Sequence, residues 1–254
     1  MENLQSDHLD TQNLYRDMQK RTGGEIYIGV VGPVRTGKST FIKRFMDVAV
    51  LPYMEDAAQK TRAQDELPQS AGGRTITTTE PKFIPQEAVE LKLAGEVTIR
   101  VRLVDCVGFM VEGAAGHLED GAERLVKTPW YDHEIPFTQA AELGTRKVIT
   151  DHSTIGVVVT TDGSFSDLPQ ETYLDAENQA ISELKKLHKP FLVLVNSSHP
   201  SSRTAREAAE RIEKQHSVAA MPVNCAQLSE EDIRQIMEQR SEEHTSELQS
   251  RLHL

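Results

Sequence analysis

The stretch Gly32-Pro33-Val34-Arg35-Thr36-Gly37-Lys38-Ser39 constrains this chain more than any other. It fits G-x-x-x-x-G-K-[ST], a loop that wraps phosphate groups between a strand and a helix. The residue types supply the reason. Gly32 and Gly37 admit backbone angles that a Cβ forbids, so successive N–H groups can turn inward around an anion. Lys38 brings a compact positive charge to the β- and γ-phosphates, and Ser39 offers a hydroxyl to Mg2+. Arg35, Thr36 and Thr40 complete the candidate contacts of the loop. The flanks agree with this reading. Glu25–Val31 is a β-rich run ending at the loop, and the segment after it places Phe41, Ile42, Phe45 and Met46 on one helical face. A bare glycine turn would require none of these features. The expectation is a nucleotide site.

Composition narrows the partners. A length of 254 residues suits one α/β domain with insertions. A formal net charge of −11 opposes general binding to nucleic acid or to an anionic membrane. Cys106 and Cys225, the two cysteines, are too few for a disulfide framework or a zinc site, so buried thiols in a reducing cytosol are expected. No apolar run approaches the length of a membrane span, and the nine histidines show no metal-ligand spacing.

Periodicity orders the rest. Residues 1–22, with Leu4, Leu9, Leu14 and Met18 among many charges, predict a short surface helix ending at Gly23-Gly24. Pro52–Arg74, polar and without sustained periodicity, is expected to be a mobile loop. Val97–Asp105 alternates and then turns fully apolar, as a strand with a buried end does. Phe109–Pro136 is expected to be irregular, ordered by its aromatics around Trp130, and to cover part of the site or an interface. Beyond it, helices are expected over 138–149, about 173–187, 203–215 and 230–238, with Leu174, Ile181, Leu184 and Leu187 inward in the second. Strands are expected over 155–160, 191–195 and 218–223. Regular β-α alternation with apolar strands predicts a mostly parallel sheet with helices on both faces.

Two further segments belong with the loop. Asp105-Cys106-Val107-Gly108 fits D-x-x-G, and an aspartate at the C-terminal edge of a parallel sheet can hold Mg2+ through water beside Ser39. Thr75–Phe83 carries a threonine cluster in the position where related enzymes place a threonine that meets Mg2+ and the γ-phosphate, so Thr78 and Thr79 are candidates. Where GTPases end a strand with N-K-x-D, this chain has Asn196-Ser197-Ser198-His199. Without a carboxylate for the guanine edge, ATP is the expected nucleotide.

These residues carry a resemblance. Arg21-Thr22-Gly23-Gly24, Val34–Lys43, Ala63–Ser70, Thr78–Phe83, Arg102–Gly108, Thr128–Tyr131, Gly144–Ile149 and His152–Val158, in order, resemble the N-terminal ATPase domain of the stage IV sporulation protein A family. The resemblance runs from Arg21 to about Met237. It implies a P-loop NTPase of the translation-factor-like GTPase class that hydrolyses ATP, with Mg2+, to drive self-assembly. The product would be a platform around the forespore, on the mother-cell side, on which spore-coat proteins gather. Residue by residue, Lys38 matches the P-loop lysine, Asp105 the metal-motif aspartate, and Thr78 and Thr79 the sensor threonines. The implied organisation is a helix over 1–22 and an ATPase domain over 23–240. A tail over 241–254 does not resemble the family and looks like translated sequencing-adapter read-through. The family's middle and C-terminal domains, the latter engaging a small amphipathic membrane peptide, are absent from the chain. A GTPase switch of the same fold and a nucleotide-holding scaffold without turnover are the competing readings.

Overall fold

The computed structural model describes residues 24–68, 80–92, 98–114, 116–119 and 121–236. The expected helix over 1–22, the threonines Thr78 and Thr79, and the tail over 241–254 lie outside the described residues. Along the chain, β1 (Glu25–Val31) leads into α1 (Lys38–Phe45). α2 (Ala57–Asp65) then precedes β2 (Lys82–Lys92) and β3 (Thr98–Asp105). The short strands β4 (Leu118–Glu119), β5 (Ala122–Glu123), β6 (Leu125–Thr128) and β7 (Tyr131–Pro136) follow. Then α3 (Phe137–Lys147), β8 (Ile155–Thr161), α4 (Leu174–Lys186), β9 (Phe191–Asn196), α5 (Arg203–His216) and β10 (Ala220–Val223) alternate.

Among the described residues, the main sheet has the order β10-β9-β8-β1-β3-β2. Its ladders are parallel except for β2, which runs antiparallel along β3. β1 sits inside the sheet because both its faces are apolar. Ile26, Ile28 and Val30 pack with Phe41, Ile42 and Met46 of the α1 segment and with Ile233 and Ile236. Val31, Val104 and Val158 point the other way, toward Ile149, Ile181, Leu184 and Ile212. Burying such a side chain contributes about 1.5–3 kcal/mol over leaving it exposed, so helices are held on both faces. The parallel arrangement then gathers the C-terminal ends of β1, β3, β8 and β9 along one edge.

Three expectations are corrected. Ala57–Asp65, inside the stretch expected to be a loop, is a helix. Its N-cap Asp56 accepts from Ala58 N and Gln59 N, and Ala63 anchors it in the core. One buried side chain is too thin an apolar stripe to show as periodicity. The Phe109–Pro136 insertion is not irregular, because β4 pairs with β5 and β6 with β7 in two small antiparallel sheets. Trp130 lies in the turn between β6 and β7, and Tyr131 is exposed beside it. Leu187, expected inward, falls just past the end of α4 and is 42% exposed. On the inward face of α4 stands Glu177, which periodicity does not mark. It is 1% exposed, accepts from Thr160 Oγ1 at 2.7 Å and pairs with Arg211 at 2.7 Å. That pairing ties β8, α4 and α5 together and offsets part of the cost of burying the carboxylate.

Candidate nucleotide and metal site

The loop between β1 and α1 is fixed from three directions. Val34 N donates to Phe109 O at 2.9 Å, and Phe109 N donates to Gly32 O at 3.0 Å, joining the loop to the segment after β3. Thr36 Oγ1 donates to Val159 O at 2.6 Å and to Pro33 O at 3.0 Å, joining it to β8. Asn196 Nδ2 donates to Thr36 O at 2.9 Å, while Asn196 Oδ1 accepts from Cys225 N at 3.0 Å. The side chains of Thr36 and Asn196 are therefore struts. What they contribute is a loop backbone held in place from two sides.

Gly37 caps α1 at φ 95°, a left-handed conformation, and a Cβ there would meet Asn196 Nδ2 at 2.3 Å. Gly32 fits against Val159 O in the same tight way. Lys38, the first residue of α1, is 5% exposed and donates from Nζ to Pro33 O at 2.5 Å. Burial pulls its pKa below the ordinary lysine value, and the neighbouring Cys106 and Asp105 act in the opposite direction. Thr40 stands half-buried in the first turn of the helix.

Ser39 Oγ donates to Asp105 Oδ2 at 2.9 Å, bringing the two expected metal-side residues together. Asp105 Oδ1 is sealed from solvent and has no hydrogen-bond partner among the described residues. Burial raises the pKa of this carboxyl above its ordinary range, with Lys38 the largest opposing influence. A hydroxyl beside a buried carboxylate oxygen in need of a partner is a donor set suited to Mg2+, a hard cation that takes oxygen ligands and retains water. The residues present fit the metal. Next in the chain, burial pushes the Cys106 thiol up to about 11, so it stands there as a neutral group. Cys225 is likewise a buried free thiol.

Gly108 lies directly over Lys38. At φ 100°, its Cβ position would fall 2.5 Å from Lys38 Nζ and 2.3 Å from Gly32 O, so a side chain has no room. The Gly108 N–H donates to Thr145 Oγ1 at 3.1 Å, and that hydroxyl donates to Ala141 O at 2.8 Å. Thr145 is a site residue the motifs do not mark. Its signal in the sequence is only a small polar residue inside an apolar helical face.

At the position of the missing base-reading motif, Ser197 is 1% exposed and donates to Asp162 Oδ2 at 2.6 Å. Asp162 Oδ1 accepts from Ser164 N at 3.0 Å, and Ser164 Oγ accepts from Ser198 N at 2.8 Å. The loops after β8 and β9 are thus laced by hydroxyls where GTPases use a lysine and an aspartate. His199 is exposed. Asp162 and Ser164 belong to no motif that the sequence marks.

Comparison with known proteins gives consistent matches. A family model described as stage IV sporulation protein A, ATPase domain, matches residues 9–244. Stage IV sporulation protein A of Clostridioides difficile (strain 630) is 50% identical over 226 residues, covering 89% of this chain and 46% of that protein. Proteins of the same name from Bacillus anthracis and Bacillus subtilis (strain 168) are each 45% identical over 229 residues, covering 90% of this chain and 46% of theirs. The chain spans about half the length of the curated relatives it matches. Among solved structures, an SsGBP variant aligns with a TM-score of 0.47 and 12% identity, covering 97% of this chain and 64% of that one. The FeoB G-domain from Methanococcus jannaschii aligns with a TM-score of 0.41 and 12% identity, covering 86% and 98%.

Proposed function

The chain belongs to the stage IV sporulation protein A ATPase-domain family, and from that premise we propose that it binds ATP with Mg2+ and hydrolyses it to ADP and phosphate. In this reading hydrolysis drives self-association into a platform at the forespore surface, in the mother-cell cytoplasm, on which spore-coat proteins gather. In the same reading, contact with a small amphipathic membrane peptide is made outside the ATPase domain. Among the described residues, no helix is long and apolar enough to cross a membrane.

The observation that carries the proposal is the convergence of Lys38, Ser39 and Asp105 at one end of β1 and β3, with Asp105 Oδ1 left in need of a partner. Ser39 Oγ and Asp105, the latter through water, would hold Mg2+, which when bound neutralises charge on the phosphate oxygens. Lys38 is already desolvated, so its charge acts on the β- and γ-phosphates with little screening by water. Thr36, Asn196 and the Phe109 segment brace the loop backbone, which limits the rearrangement that phosphate binding requires. Thr78 and Thr79 are proposed to meet the metal and the γ-phosphate from the segment before β2.

ATP is preferred over GTP in this reading because Ser197 is spent on Asp162 and His199 replaces the carboxylate. A GTPase switch is the second reading, favoured by Asn196, which keeps both the first residue of the guanine-reading motif and a strut role. Phosphate release measured with ATP and with GTP, in the wild type and in Lys38→Ala, decides between them. ATP turnover that vanishes in the variant supports the proposal. Faster GTP turnover supports the switch, and nucleotide binding without turnover supports a scaffold.

A further inference from the structure

The order of the sheet fixes the direction in which a nucleotide extends from the phosphate loop. Asp105, on the metal side, ends β3, which neighbours β1 on one side, while Asn196 ends β9, two strands away on the other. The base therefore lies toward β9 and β10, parallel neighbours whose following loops meet at the C-terminal edge of the sheet. Strands stand about 4.8 Å apart, so β10, three spacings from β1, is about 14 Å away, a distance that an extended nucleotide spans. Asn224, the first residue after β10, joins the two loops there. It is half-buried. Its Oδ1 accepts from Ala226 N at 3.1 Å, and its Nδ2 reaches Ser198 O at 3.5 Å. Ser198 is itself held, since its N–H donates to Ser164 Oγ at 2.8 Å. The next residue, Cys225, donates its N–H to Asn196 Oδ1, so Asn224 stands one residue from the strut of the phosphate loop.

These contacts set the direction of the Asn224 amide. A side-chain amide presents an acceptor on one side and donors on the other. Turned over, it would set its NH2 against the Ala226 N–H and its oxygen against Ser198 O, and both contacts would be repulsive. One orientation suits both neighbours, and it offers the base an acceptor. A carbonyl oxygen has two lone pairs, of which Ala226 N uses one among the described residues. The donor beside it, the Ala226 N–H, is already engaged by that same oxygen. Purines differ in this respect at the 6-position. Adenine carries an amine that donates, whereas guanine carries an oxygen that accepts.

We propose that Asn224 is a specificity-determining residue for the base, its Oδ1 accepting a hydrogen bond from the exocyclic 6-amine of adenine. The inference rests on the ATP reading given above, and it adds an attractive contact to a preference otherwise due to a missing carboxylate. A 6-oxo purine meets the same oxygen acceptor to acceptor. The amide cannot turn to donate without breaking with Ala226 and Ser198. Discrimination thus combines attraction for one base with repulsion of the other.

The test measures equilibrium affinity for ATP, purine riboside triphosphate and ITP in the full chain, as wild type, Asn224→Ala and Asn224→Asp. Purine riboside triphosphate lacks the 6-amine, and ITP carries an oxygen in its place. The wild type is expected to bind the first analogue about tenfold more weakly than ATP, the effect of one lost hydrogen bond, and ITP more weakly still. Asn224→Ala removes the acceptor and releases the Ala226 N–H, a donor that suits a 6-oxo group. Its preference for ATP over ITP is expected to fall about tenfold or more below that of the wild type. Asn224→Asp keeps an oxygen for Ala226 N and has no donor to offer, so the wild-type preference is expected to persist. Each preference is read within one variant, so a smaller folded fraction cancels. A wild type that binds ATP and both analogues equally overturns the inference and leaves the hydrolysis reading standing. Equal weakening of all three nucleotides in Asn224→Ala assigns Asn224 a purely structural role and also overturns it. A wild type that binds none of the three overturns both the inference and the reading it rests on.

Discussion

Ser39 and Asp105, 66 residues apart in sequence, meet through a 2.9 Å hydrogen bond that leaves the second oxygen of Asp105 buried and, among the described residues, without a hydrogen-bond partner. Among the described residues the pair is thus assembled with one carboxylate oxygen still unengaged. An ion held there would satisfy the oxygen and relieve the burial of the carboxylate.

That relationship has a pH signature. Burial raises the folded-state pKa of Asp105 above its ordinary value of 3.8. A raised carboxyl binds protons more tightly in the folded state, so its stabilising effect is full below 3.8 and is lost as pH rises through the raised value. At neutral pH the nucleotide-free wild type therefore carries a penalty that Asp105→Asn lacks. The variant is expected to show a Tm a few degrees higher at pH 7. The gain should shrink toward zero as the medium is acidified below 3.8, and Mg2+–ATP should stabilise the variant far less than the wild type. Thermal melts across pH check this. A variant less stable than wild type at pH 7 counts against the penalty.

Gly108→Ala places a methyl group on Gly32 O and Lys38 Nζ at a backbone φ of 100°. The expected loss is about 1–3 kcal/mol of stability from backbone strain alone. ATP affinity should fall further, since the displaced atom is the ammonium proposed to bind phosphate. Urea unfolding and equilibrium nucleotide binding measure the two effects separately, and undiminished ATP affinity would remove Gly108 from the site.

Asn196→Ala strips a donor from Thr36 O and an acceptor from Cys225 N, both deep in the structure. Each orphaned group costs about 1–3 kcal/mol, so a total of about 2–6 kcal/mol is expected. Because the phosphate loop loses a strut, ATP and ADP should weaken together. Selective loss of one nucleotide would mean that Asn196 touches the ligand directly.

Thr145→Val keeps the shape of the buried side chain but removes the acceptor of the Gly108 N–H. Stability should drop by about 1–3 kcal/mol. If that amide is to turn toward a γ-phosphate, the valine no longer competes for it. The ratio of ATP to ADP affinity should then rise above that of the wild type, as calorimetric titration of both nucleotides can show.

The sequence made the phosphate loop, the D-x-x-G segment and the main parallel strands legible because each is contiguous and obeys a short-range rule. Glycine spacing specifies a loop, and an apolar run ending in aspartate specifies a strand reaching the sheet edge. The contacts that brace the site escaped for the opposite reason. Thr145, Asp162 and Glu177 are ordinary polar residues whose roles depend on partners 37, 35 and 17 positions away. Helix α2 escaped because its anchor is a single alanine and its start is a side-chain cap. The β6–β7 hairpin escaped because its strands, being largely exposed, show no apolar alternation.

The shared amide of Asn196 has a consequence for how the protein comes into being. Among the described residues its oxygen is engaged by the backbone of Cys225, 29 residues further on, while its nitrogen steadies a loop 160 residues earlier. A chain still emerging from the ribosome can form β1 and α1 and present every residue of the phosphate motif. The braces from Phe109 and Val159 can form before the third, because the piece that locks Asn196 is made last. The bracing of the phosphate loop is thereby complete only once the chain has been made past Cys225.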